Sequence, residues 1–187
     1  RGLGDVYKRQ LALYTSEYGY YTGGSHKIGT DGDFITAPTL TPLFGQTFAR
    51  QLAELLPQTA GNIYEFGAGT GHLAATLLKS LSDDLKHYYI IELSPELAER
   101  QRQFIAEHTT PQLAQKVIHL TELPESFDGI IIGNEVLDAM PVEIICRTQN
   151  TFQHIGVSIN PDGQLEQSPR PLKQPDLLQL TATYFPE

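Results

Sequence analysis

Between residues 62 and 133 short apolar runs alternate with segments of helical period, and this alternation limits the fold more than any other feature. Asn62–Phe66, His87–Leu93, Val117–Leu120 and Gly129–Ile132 read as strands. Between them, His72–Leu81 carries Leu73, Leu77 and Leu81 in register. A further helix, capped by Ser94 and Pro95, carries Leu97, Gln101, Phe104 and Ile105. Strands that each return through a helix form a parallel sheet, because parallel neighbours need a long crossover. The predicted class is therefore α/β, with a parallel sheet and crossover helices.

A helix over Pro42–Leu56 precedes this region, with Thr41 as N-cap, Pro42 at the first helical position and Pro57 closing it. Past Pro141 the pattern changes. Val142–Arg147 and Phe152–Ile159 read as an antiparallel pair joined near Gln149–Asn150, with a turn at Asn160–Gly163. The tail, Thr181–Glu187, completes no obvious element. These shifts divide the chain into a non-native or disordered leader (1–10), an N-terminal helical and loop segment contributing to the site (11–60), a core (61–141) and a truncated antiparallel insertion (142–187).

Composition narrows the function classes. Thirteen basic and 22 acidic side chains leave a formal charge of −9, which disfavours nucleic acid or an acidic membrane as partner and favours a cationic one. Cys146 is the single cysteine, so a disulfide frame or cysteine zinc site is excluded, and a reducing, cytoplasmic setting is the default. No apolar run approaches the roughly 18 residues that suggest a membrane span. The six histidines lack metal-ligand spacing.

The stretch YEFGAGTG (Tyr64–Gly71) joins the first core strand to its helix. A phosphate-binding P-loop needs Lys and then Ser or Thr after its last glycine, where this chain has His72 and Leu73. A dinucleotide turn wants a small residue at its sixth position, where His72 stands, so an NAD-linked oxidoreductase is the weaker alternative. The spacing is instead Glu65-x-Gly67-x-Gly69-x-Gly71. An acid just before the first glycine suits an ammonium group better than a pyrophosphate. S-adenosyl-L-methionine (SAM) carries one, together with a ribose and no phosphate. Glu92, 21 residues after Gly71 and at the end of the next strand, stands where an acid takes the ribose hydroxyls. Beyond the fourth strand, Asn134, Glu135 and Asp138 emerge where a methyl acceptor would lie, and carboxylates there suit a guanidinium. A helix-capping role for Asp138 and plain solvation for Glu135 are the bland alternatives.

Five co-linear motifs then carry a resemblance: GDFITAP (32–38), LFG (43–45), EFGAGTG (65–71), IELSPEL (91–97) and NEVLDAMPV (134–142). Together they resemble the MidA-type SAM-dependent methyltransferases, which include the mitochondrial protein arginine methyltransferase that assists complex I assembly. ALYTSEYGYY (12–21) resembles their N-terminal segment. The resemblance implies a Rossmann-like class I methyltransferase fold, incomplete at the C-terminus, with a β-hairpin insertion after the fourth strand. It places the cofactor on Glu65, Gly67, Ala68, Gly69, Gly71, Glu92 and Leu93, with Asp33 and Asn134 beside it. Asn134, Glu135 and Asp138 would form the catalytic edge. A protein, through arginine, would be the substrate; a non-catalytic SAM-binding assembly factor is the alternative. The setting implied is mitochondrial for eukaryotic relatives. Thr39 departs from the family pattern, where many relatives carry an acid.

Overall fold

A computed structural model describes residues 3–15, 18–20, 35–148 and 151–185. In chain order its elements begin with β1 (Leu3–Gly4), α1 (Asp5–Tyr14), α2 (Ala37–Leu40), α3 (Pro42–Leu55), β2 (Asn62–Phe66), α4 (His72–Ser80), β3 (His87–Ile91) and α5 (Pro95–His108). They continue with α6 (Pro111–Ala114), β4 (Val117–Leu120), β5 (Ile130–Gly133), β6 (Ile144–Arg147), β7 (Phe152–Ile159), β8 (Leu165–Pro171) and α7 (Pro175–Tyr184). They fall into two compact units, residues 24–138 and residues 1–23 with 139–187.

The first unit is the α/β layer expected from the sequence. Its four strands are parallel, in the order β4-β3-β2-β5. The chain builds outward from β2 through β3 to β4, then returns to the other side of β2 with β5. The carboxyl ends of β2 and β5 therefore flank the point where strand order reverses, the usual ligand crevice of open α/β sheets.

Helix α3 begins where its cap predicts, with Thr41 Oγ1 accepting from Leu43 N. It packs on α4 at Gly45, where a Cβ would come within 2.7 Å of Thr76 Cγ2; the close crossing leaves no room for a side chain. Beneath these helices Leu52, Leu56, Ile63, Leu77, Leu78, Tyr88, Ile90 and Ile105 are fully buried. Each such side chain contributes roughly 1.5–3 kcal/mol by leaving water, so this layer holds the strand ends in fixed relation. β3 ends two residues earlier than the sequence suggests, because Glu92 turns to accept from Ser94 N, the N-cap of α5.

In the second unit β7 is central. It pairs antiparallel with β8 along its length, and with β6 and then β1 on its other side. The expected pair of strands is present. Residues 5–10, grouped with the leader in the sequence reading, form the first part of α1. Two elements escaped the sequence. Pro169 and Pro171 argue against a strand, yet both point their missing N–H the same way, which an edge strand tolerates, and among the described residues β8 pairs with β7 alone. Helix α7 starts with Pro175 at its first position but has no side-chain cap, and its Thr181 and Thr183 hydroxyls bond back to Leu178 O and Gln179 O.

Candidate functional site

The glycine turn lies at the carboxyl end of β2. Gly67, Gly69 and Gly71 have φ values of 61°, 55° and 90°, a left-handed run that side chains with a Cβ resist. A Cβ on Gly67 would also press on Val136 Cγ2 at 3.2 Å, so the turn and the segment after β5 touch. Gly71 N donates to Ala68 O, and Ala75 N donates to Gly71 O as α4 begins. Ala68 is buried under the turn. Gly67 is exposed and Gly69 half-buried, while Gly71, the N-cap of α4, is buried against α5. His72, where a dinucleotide turn wants a small residue, pairs its Nδ1 with Thr70 Oγ1 at 2.7 Å and lies against the Phe104 ring, centroids 4.1 Å apart. Burial, and then the neighbouring His108, lower its pKa.

Glu92 is half-buried and tied from both oxygens. Oε1 accepts from Ser94 N at 2.9 Å and Oε2 accepts from Gln101 Nε2 at 3.0 Å. Burial raises its pKa, against the pull of the Ser94 N–H, the Gln101 amide and the Leu93 N–H. Gln101 comes from α5 and is fully buried. Its Nε2 also donates to Gly69 O at 2.9 Å, while its Oε1 lies 3.0 Å from His119 Nε2 at the end of β4. With both amide hydrogens committed, Oε1 is the acceptor and His119 carries its proton on Nε2. His119 stays neutral: burial foremost, and then the Arg102 charge, hold its pKa down to about 4, with Glu99 opposing.

Glu65 faces the core side of β2, opposite Ile90 and Ile132. It is 2% exposed and accepts a hydrogen bond from the Tyr88 hydroxyl at 2.7 Å. Burial raises its pKa to about 7, with the Tyr88 bond pulling the other way. Tyr88 moves upward too, by burial first and then by the adjacent Glu65.

After β5, Asn134 Nδ2 donates to Glu135 Oε1 at 3.4 Å. Glu135 has φ of 54°, alone among the described non-glycine residues in the left-handed region. Such backbone costs about 1–3 kcal/mol and is commonest at functional sites. Asp138 sits exposed in a turn, with no helix for it to cap, and Leu93 is 63% exposed beside Glu92. Gln101 thus ties Glu92 to Gly69 and lies against Gly71, while Asn134 and Glu135 precede Val136, which lies against Gly67. Asp33 lies outside the described residues. Gln101, His119 and Tyr88 were not singled out by sequence; the available signal for Gln101 was a polar residue in register with Leu97, Phe104 and Ile105.

A parallel sheet reversing at β2, with an open glycine turn and an acid after β3, defines a Rossmann-like nucleoside-binding fold of the methyltransferase type. The family described as "Putative S-adenosyl-L-methionine-dependent methyltransferase" matches residues 43–187, and the chain belongs to that family. The crystal structure of a COG1565 superfamily member from Burkholderia thailandensis, bound to S-adenosyl-homocysteine, superposes with a TM-score of 0.84 at 40% identity. It covers 97% of this chain and 49% of its own. A native structure from the same organism gives 0.81 and 39%, covering 97% and 47%. The chain is also similar to the proteins named mitochondrial protein arginine methyltransferase NDUFAF7 homolog. The identity is 26% in Caenorhabditis elegans, over 79% of this chain and 40% of the relative, and 27% in Drosophila melanogaster, over 87% and 43%. The chain thus spans less than half the length of these relatives. The MidA-type resemblance and the α/β methyltransferase fold expected from sequence hold.

Proposed function

We propose that this chain binds SAM at Gly67–Gly71 and Glu92 and transfers its methyl group to a protein, with an arginine guanidinium as acceptor. The observation that carries the reading is the Glu92 carboxylate, fixed by Ser94 N and Gln101 beside three left-handed glycines. The residues fit the cofactor: the bare turn admits the amino-acid and ribose portion, Glu92 accepts from the ribose hydroxyls, and the buried Glu65 suits a nearby ammonium. When bound, SAM supplies an electrophilic methyl on a sulfonium. At the rim, Glu135 and Asp138 are exposed carboxylates that draw in a cationic side chain and take up the proton a guanidinium nitrogen sheds on methylation. Asn134 and the strained Glu135 backbone orient that group. The formal charge of −9 favours approach of a basic partner.

The arginine assignment is supported by the names of the curated relatives. A cytoplasmic setting for this chain, unlike those relatives, rests on its single cysteine; no described helix is long and apolar enough to cross a membrane. An assembly role like the one associated with complex I belongs to the same reading, through the basic segment of a partner.

The test is methyl transfer from labelled SAM to arginine-bearing protein substrates. Asp138→Asn is expected to lower the rate by about 10²-fold or more, as loss of a positioned proton acceptor does, with SAM affinity nearly intact. Equal rates would remove Asp138 from the acceptor site. SAM binding without transfer to any substrate would favour the non-catalytic assembly factor.

A further inference from the structure

The side chain that joins the two halves of the candidate site is Gln101. It lies in the middle of α5, is 0% exposed, and spends every polar atom on the site's architecture. One amide hydrogen goes to the carbonyl of Gly69, the second glycine of the turn, and the other to Glu92 Oε2. Its oxygen takes the His119 Nε2–H from the end of β4. The two oxygen acceptors, Gly69 O and the Glu92 carboxylate, fix the amide the right way round, and His119 Nε2–H then donates to its oxygen. Both sites it serves are oxygen acceptors, so only a neutral double donor satisfies them together. Lysine would bring a charge into the core, and a carboxylate would repel both.

We infer that Gln101 is a positioning residue for nucleoside binding: it locks the Glu92 carboxylate to the glycine turn, so that the ribose and amino-acid ends of the ligand meet contacts already set at a fixed separation. This rests on the SAM reading above. Preorganisation of this kind raises affinity by lowering the ordering cost paid on binding.

A double-mutant cycle tests it, titrating S-adenosyl-homocysteine calorimetrically into the 187-residue chain. Gln101→Met keeps volume and loses both donors; it is expected to weaken binding about tenfold, the size of a hydrogen bond to a charged group. Because the effect passes through Glu92, the same substitution in a Glu92→Ala background is expected to change affinity by less than about twofold. His119→Leu, which removes the donor to the amide oxygen without altering Gln101, should give about a threefold loss, again absent in the Glu92→Ala background. A purely structural role predicts losses that persist undiminished without Glu92, and that result overturns the inference, as does unchanged affinity in the single variants. Failure of the unsubstituted chain to bind would overturn the SAM reading itself, whereas wild-type binding with additive losses overturns only the role of Gln101.

Discussion

Glu65→Gln is expected to flatten the dependence of folding stability on pH, with the largest divergence from wild type above pH 7. The cause is the burial of Glu65 between Ile90 and Ile132, with the Tyr88 hydroxyl as its hydrogen-bond donor. Its folded-state pKa is raised from 4.5 to about 7, by burial first. Below pH 4.5 the folded and unfolded chains both hold the proton, and Glu65 does not tilt the balance. Between about 4.5 and 7 the unfolded chain releases the proton while the folded chain keeps it, so stability falls as pH rises. Above 7 the folded carboxylate is charged and the full cost is present, about 3 kcal/mol from the shift in pKa. The glutamine side chain of the variant has no proton to lose, and its carbonyl still accepts from Tyr88. Urea unfolding at pH 5 and pH 8 reads the difference: wild type should lose a few kcal/mol that the variant keeps. Parallel pH profiles would mean that Glu65 is not a buried carboxylate in the folded chain.

Glu92→Ala is expected to weaken SAM binding by about tenfold at least. A hydrogen bond to a charged group contributes roughly 1.5–3 kcal/mol, about 10- to 150-fold in affinity. Here the loss is compounded, because Ser94 N and one Gln101 hydrogen lose their acceptor as well. Unchanged affinity would remove Glu92 from the ribose role. Since Glu92 is half-buried and Ser94 Oγ still caps α5 through Leu97 N, the helix should persist in the variant.

These effects separate what was legible in the sequence from what was not. The strand–helix alternation of residues 62–120 was readable because its helices are periodic and its short apolar strands are punctuated by Gly, Pro or Ser, whereas β5 follows β4 without the helix that the alternation implied. The placement of the glycine turn and of Glu92 was readable for a related reason: both lie at strand ends, which spacing along the chain reports. Gln101 sat in plain view, in the same helical register as Leu97 and Phe104. Its role requires α5 to lie under a turn 32 residues earlier and beside a strand 18 residues later, contacts that only the folded sheet creates. Tyr88 is similar: its partner Glu65 is 23 residues away and adjacent only through parallel pairing. β8 was hidden by its prolines, whose common orientation matters only once β7 occupies the other side. The strain at Glu135 is likewise a backbone property that no residue type announces.

The central claim is that the glycine turn and Glu92 hold SAM. Side-by-side calorimetric titration of the chain with SAM and with NAD tests it most directly. Saturable binding of SAM, weakened by Glu92→Ala, with no heat from NAD, is the expected result. Binding of NAD but not SAM would contradict it.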